Sequence, residues 1–262
     1  MKTKTFEHLH IPAAITTLDN GLTVASCQTS SALATVNLAV ALGSCDDEDH
    51  PGIAHFLEHI LFESATRDAV HPVLRDFAHK AVNVNAETDQ FRTVFETSHG
   101  ESVADQMAAL LEMTGIIIAT PEVVNSECQI ILQEIEECNH EPGSYIWRMR
   151  MLFPDVQGLH HSADGTEESV RAITHSNMWH HHKRWYGPSN SMIQVASRLP
   201  HEAVLDLAAK SQLGRAPRSA SLRPRAKFVP RCVEATCYDS SEPESLTIYT
   251  PLPATIGVKD SI

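Results

Sequence analysis

Five consecutive residues, His55-Phe56-Leu57-Glu58-His59, constrain this chain more than any other part of its sequence. On a helix, the two histidines lie four residues apart on one face and can bind the same metal ion. Glu58 projects from nearly the same face and can reach a water molecule beside that metal. H-x-x-E-H is the order of an inverted zinc-peptidase motif. The alternative is a helix whose two histidines only pack or face water.

A catalytic zinc site usually takes three protein ligands, so a further ligand must come from elsewhere in the chain. The segment 121–138 is predicted to be a helix, with Pro121 near its start and apolar residues at helical spacing. Glu127 and Glu134 are seven residues apart on it, nearly two full turns, so both carboxylates share a face. One could bind the metal while the other supports the site or takes part in proton transfer. The alternative is a solvated acidic helix, which we expect of Glu136 and Glu137.

Several segments together resemble the N-terminal half of an M16 metallopeptidase, the pitrilysin, insulysin and mitochondrial processing peptidase family. The resemblance covers roughly residues 15–215. The segments that carry it are 18–24 (LDNGLTV), 52–62 (GIAHFLEHILF), 85–88 (NAET), 93–95 (TVF), the helix from Glu127 to Glu134, 164–168 (DGTEE) and 185–190 (WYGPSN).

The resemblance implies a role for each candidate residue. His55, His59 and Glu134 would bind one zinc ion per chain. Glu58 would be the general base, and Glu127 an auxiliary catalytic glutamate. Residues Asn85, Ala86, Glu87 and Thr88 would form a sheet edge that pairs with a peptide substrate as an added strand. The alternative for this last segment is an ordinary strand with an asparagine at a turn.

Strands and helices mix without regular alternation, which predicts an α+β fold with a two-layer, mixed, mainly antiparallel sheet packed against helices. By resemblance this is the M16 metallohydrolase fold, shared with LuxS and the processing peptidases. We predict a catalytic domain over 1–213. Residues 214–262 are then a basic linker and the first strands of a second, otherwise absent M16 half. Predicted strands lie at 15–42, 83–97, 191–199, 231–236 and 246–249, and predicted helices at 54–64, 71–81, 101–119, 121–138, 144–152, 167–185 and 201–213.

The charge and composition of the chain limit the classes of partner that it is expected to bind. With 20 basic and 33 acidic residues the formal charge is −13, which argues against binding to nucleic acid or to an anionic membrane surface. Residues 1–8 lack the apolar core of a secretory signal, and no apolar stretch is long enough to span a bilayer, so we expect a cytoplasmic protein. The histidine clusters 160–161 and 180–182 are interpreted as solvated surface.

The predicted function is a zinc-dependent endopeptidase that hydrolyses oligopeptides or unfolded segments. Because the second half is missing, we expect a partner: a second M16-like half, a homologue or another copy of this chain. The competing hypothesis is a non-catalytic M16-like subunit that binds peptide and supports an active partner. The retention of both histidines, the base and the glutamate ligand favours the enzyme.

Overall fold

A computed structural model describes residues 2–5, 12–63, 83–115, 117, 119–138 and 161–219 of the chain. The strands within these residues are β1 (Lys2–Thr5), β2 (Ala13–Thr17), β3 (Thr23–Gln28), β4 (Ala34–Val40), β5 (Asn83–Thr88), β6 (Thr93–Gly100) and β7 (Ser191–Ser197). The α-helices are α1 (Ile53–Glu63), α2 (Val103–Met113), α3 (Pro121–Cys138), α4 (Glu167–Ala172), α5 (His175–Trp185), α6 (His201–Lys210) and α7 (Gln212–Arg215).

The strands form one sheet in the order β1-β2-β3-β7-β4-β6-β5. Neighbouring strands run antiparallel except β3 and β7, which run parallel. This confirms the predicted mixed, mainly antiparallel sheet packed against helices. In the described residues β5 pairs with β6 alone, so it stands at one edge of the sheet.

One core cluster lies between the sheet and the helices that cover it. Along β4 the buried residues alternate with half-buried ones, as expected for a strand with one face in the core. The buried side chains of the cluster come from strands β3, β4, β6 and β7 and from helices α1, α2, α5 and α6, and include Val36, Leu38, Val40, Phe95, Met107, Leu110, Val204 and Ala208.

A second core cluster holds α1 against α3 and α4. Its members share helical spacing on the buried faces of these helices and include Ile53, Phe56, Leu57, Ile60, Ile131, Ile135 and Val170. Because this apolar contact fixes α1 beside α3, the polar residues of the two helices are also brought together.

A hairpin turn that contains Asn20-Gly21 joins β2 and β3, with Gly21 at a φ of +96° that favours glycine. The Asn20 side-chain amide also donates hydrogen bonds to the carbonyls of Leu213, Gly214 and Ala216, at 3.0–3.1 Å. The first residues of the predicted linker are therefore attached to the domain. The division at residue 213 stays a prediction.

Several predicted helices differ in extent. The single helix expected over 167–185 is two helices, because Ile173 is extended and the Thr174 hydroxyl caps α5 by accepting from the backbone of Asn177. The helix expected over 201–213 breaks at Ser211, which caps α7 in the same way. The predicted helices 71–81 and 144–152 and the strands 231–236 and 246–249 lie outside the described residues.

The interpretation of the histidine triplet as solvated surface was wrong for two of its members. His181 is buried, and the ring of His182 donates a 2.7 Å hydrogen bond to the Thr114 carbonyl. His180 is exposed as expected, and His160 lies outside the described residues. In the described part of the chain, no helix combines the length and apolar character needed to cross a membrane.

Candidate metal centre and active site

The first turn of α1 is held by a buried carboxylate. Asp47 accepts hydrogen bonds from the backbone N–H groups of Gly52 (2.7 Å) and Ala54 (3.1 Å), which are among the donors that a helix start leaves unpaired. Burial raises the pKa of Asp47 well above its usual range, and the two N–H donors oppose that rise. These two hydrogen bonds therefore hold the start of the helix that carries the motif in place.

On α1 the two motif histidines lie side by side. The ring centroids of His55 and His59 are 4.7 Å apart and the rings are nearly perpendicular. Burial, and to a lesser extent the neighbouring His59, lower the pKa of His55 to about 4, whereas Asp164 opposes the shift. His55 is therefore neutral at physiological pH, which is the state in which imidazole binds a metal.

The glutamate from α3 completes a three-residue cluster. Glu134 Oε2 lies 3.9 Å from His55 Nε2 and 3.6 Å from His59 Nε2. In the described residues this is the one group of at least three candidate ligands whose ligand atoms all lie within 4.8 Å of one another. Two ligands at about 2.1 Å from a tetrahedral zinc ion lie about 3.4 Å apart. The donor set and its spacing therefore fit zinc after only a small contraction.

Both histidines contact a carboxylate through the nitrogen that faces away from the cluster. His59 Nδ1 hydrogen-bonds Glu127 Oε2 at 3.0 Å, and His55 Nδ1 lies 3.4 Å from Asp164 Oδ1. The His55 contact is not aligned as a hydrogen bond. Carboxylates in these positions fix the orientation and the tautomer of metal-binding histidines. The sequence had placed Glu127 near the site, but it assigned no role to Asp164.

Asp164 reaches His55 because two glycines let the backbones of two distant segments touch. Gly52 and Gly165 both have positive φ, and a methyl group on Gly52 would lie 2.6 Å from the Asp164 carbonyl oxygen. The Ser162 hydroxyl also donates to Asp164 Oδ2 at 2.7 Å. The one sequence signal for this residue was its place in the matched segment 164–168.

Glu58 is buried beside the cluster, and its carboxylate accepts a hydrogen bond from a neighbouring hydroxyl. The Thr88 hydroxyl donates a 2.6 Å hydrogen bond to Glu58 Oε2. Burial raises the pKa of Glu58, and Thr88 and His59 oppose that rise. Burial also raises the pKa of Glu134, with an opposing contribution from His59. A carboxylate whose pKa is shifted towards neutrality is suited to accept and return a proton.

The four residues predicted to bind substrate lie on β5, the edge strand. Asn85 and Glu87 are exposed, while Ala86 and Thr88 are half-buried. These residues therefore lie at an edge of the sheet, as pairing with a peptide strand would require. The side chain of Thr88, however, is directed to Glu58 rather than to solvent.

With this geometry in place, comparison with known proteins is decisive for the family. The model of the insulinase family, peptidase family M16, matches residues 23–153, half of the 262 residues. This chain is a member of peptidase family M16. That result confirms the resemblance drawn from the motif segments.

Among its M16 relatives is the uncharacterized zinc protease YmfH of Bacillus subtilis, 30% identical over 167 residues, a match that spans 62% of this chain and 37% of YmfH. The mitochondrial-processing peptidase subunit beta of Neurospora crassa is 28% identical over 204 residues, 76% of this chain and 43% of that subunit. The crystal structure of a putative M16-like peptidase from Alicyclobacillus acidocaldarius superposes with a TM-score of 0.70 at 27% identity, over 85% of this chain and 54% of that one. The chain thus spans less than half the length of these two curated M16 relatives.

Proposed function

We propose that this chain is the zinc-binding, catalytic half of an M16 metalloendopeptidase that hydrolyses oligopeptides or unfolded polypeptide segments. One observation supports this above all: His55, His59 and Glu134 converge from two helices, and the buried Glu58 lies beside them. A site that only stored metal would have no use for a buried carboxylate held next to the ligands.

In this proposal His55 and His59 bind zinc through Nε2, and Glu134 through its carboxylate. Bound zinc would polarise the scissile carbonyl and make an adjacent water more acidic. Glu127 and Asp164 would hold the two rings in place through Nδ1. These contacts restrict both rings before the metal arrives, which lowers the cost of forming the site.

Glu58 would carry the proton. It accepts a proton from the attacking water, whose oxygen bonds to the scissile carbon, and then passes that proton to the amide nitrogen that leaves. The exposed edge of β5 would place the peptide by main-chain hydrogen bonds, with little selection among side chains. Its position next to α1 brings a strand paired there close to Glu58.

We further propose that the active form contains a second M16-like half beside this one, whether a second half, a homologue or another copy of this chain supplies it. The chain spans less than half of two curated relatives, and one of them is by name a single subunit of a processing peptidase. The predicted division into a catalytic domain (1–213) and a linker with the first strands of a second half (214–262) is part of this proposal.

Metal content tests the site. Untagged wild-type protein should contain one zinc per chain, and Glu134→Ala should lose it. The matched control is Glu136→Ala, which removes the same charge from an exposed position on the same helix. Zinc that is retained in Glu134→Ala would overturn the proposed ligand set.

Cleavage of a quenched fluorescent peptide library tests the mechanism. Glu58→Gln should keep zinc and abolish cleavage, whereas Glu63→Gln at the end of the same helix should keep both. Stoichiometric zinc without cleavage, alone or with an M16 partner half, would instead favour the non-catalytic subunit. Equal cleavage by wild type and Glu58→Gln would refute Glu58 as the base.

A further inference from the structure

The edge strand and the proposed base are joined by one short hydrogen bond. Thr88 is the last residue of β5, and its hydroxyl donates to Glu58 Oε2 at 2.6 Å. Glu58 is 8% exposed, so few other donors can reach its carboxylate. A charged acceptor that is removed from water makes this hydrogen bond stronger than an exposed one.

The Thr88 hydroxyl also contacts a second threonine, on the opposite side from Glu58. It pairs with Thr93 across the β5–β6 hairpin, and the two hydroxyl oxygens are 3.2 Å apart. Each hydroxyl has one proton. Since Thr88 uses its proton on Glu58, only Thr93 can donate across this contact, in competition with the Leu42 carbonyl at 3.0 Å. Thr93 is fully buried, so the side chain that contacts the Thr88 hydroxyl opposite Glu58 is held in the core.

A tyrosine hydroxyl lies near the same two threonines and Glu58. The Tyr186 hydroxyl oxygen is buried, and among the described residues it has no hydrogen bond of good geometry. Burial raises the pKa of Tyr186, the charge of Glu58 adds to the rise, and the nearby Thr93 opposes it. The hydroxyls of Thr88, Thr93 and Tyr186 thus lie close together beside Glu58.

We propose that Thr88 is a positioning residue that fixes the carboxylate of Glu58 and so couples substrate pairing on β5 to the orientation of the base. This inference rests on the proposed peptidase function. A peptide that pairs with the edge of β5 would order the end of the strand from which Thr88 projects. Ordering Thr88 would in turn hold Glu58 in one orientation towards the attacking water. Thr88 then acts through Glu58 and not by contact of its side chain with the peptide.

Kinetics separate this role from substrate binding. Thr88→Val preserves the shape of the side chain and removes the donor, so kcat should fall about tenfold or more, with KM and zinc affinity changed less than about threefold. Thr88→Ser keeps a hydroxyl and should restore most of kcat. Thr17→Val is the matched control, because Thr17 and Thr23 form the corresponding cross-strand threonine pair in the β2–β3 hairpin. A rise in KM with kcat unchanged would show that Thr88 binds substrate and would overturn the inference.

A measurement without turnover tests the hydrogen bond itself. Zinc-free wild type, Thr88→Val, Glu58→Leu (which removes the acceptor) and the double variant form a cycle in which the equilibrium constant for unfolding in urea is measured. The coupling should be about fivefold or more in that constant, and a coupling below about twofold would overturn the inference. If wild type and Glu58→Gln cleave alike, the proposed function fails. If wild type cleaves and Thr88→Val matches it, only the positioning role fails.

Discussion

Replacing Asp47 with alanine would remove the carboxylate that holds the first turn of α1. Asp47 is buried, and its two oxygens accept one hydrogen bond each, from the N–H groups of Gly52 and Ala54. Alanine offers no acceptor, and the site is closed to water. Both donors would therefore be left unpaired at the start of the helix that carries the motif.

The magnitude follows from those two donors. A buried N–H that loses its partner costs about 1–3 kcal/mol, so two would cost about 2–6 kcal/mol. Removing the carboxylate also relieves the cost of burying a charge, which is seen in the raised pKa of Asp47. We expect the free energy of unfolding to fall by about 2–4 kcal/mol, more than the roughly 0.5–2 kcal/mol that loss of an ordinary helix cap costs, because both donors are buried.

Urea unfolding of zinc-free protein, followed by circular dichroism, measures this change. With a slope of about 2 kcal/mol per molar urea, the midpoint should fall by about 1–2 M. The control is Asp49→Ala, which makes the same change of charge at an exposed position in the same loop. If the two variants unfold within about 0.5 kcal/mol of each other, Asp47 does not hold the helix and the argument is wrong.

Three further predictions concern the metal, the pH dependence and the core. Glu127→Gln and Asp164→Asn should each weaken zinc binding about 10–100-fold in competition with a chromophoric chelator, and a change below about threefold would contradict their roles. Burial lowers the pKa of His181 to about 4 in the folded protein. As the pH falls below about 6.5, the imidazole therefore takes up a proton in the unfolded chain before it does so in the folded one. The folded state consequently loses stability between about pH 6.5 and pH 4. In zinc-free protein, His181→Gln should therefore lose about 2 kcal/mol less stability than wild type between pH 7 and pH 5, and equal losses would refute the assignment. Ile131→Ala should lower the free energy of unfolding by about 2–4 kcal/mol, whereas Ile130→Ala, at an exposed neighbouring position, should change it by less than about 0.5 kcal/mol.

Local periodicity explains why much of the candidate site could be anticipated. His55, Glu58 and His59 share a face because of helix geometry alone, and the seven-residue spacing of Glu127 and Glu134 places both on one side of α3. Helix α3 spans the predicted residues 121–138, with Pro121 at its start. The strand pair 83–97 and the Asn20-Gly21 hairpin were also local patterns, and both are present.

Membership of the M16 family, the mixed sheet, and the histidines and glutamates that could share one metal ion can therefore be inferred from the residue pattern. The contact of Asp164 with His55, the hydrogen bond from Thr88 to Glu58 and the burial of His181 become visible only in the folded chain. Each of these depends on the contact of segments far apart in the chain, and no spacing within one helix or strand encodes such a contact. The proposed metal ligands are brought together by the periodicity of two helices, whereas the residues that contact those ligands and the proposed base are placed by the packing of helices, loops and sheet.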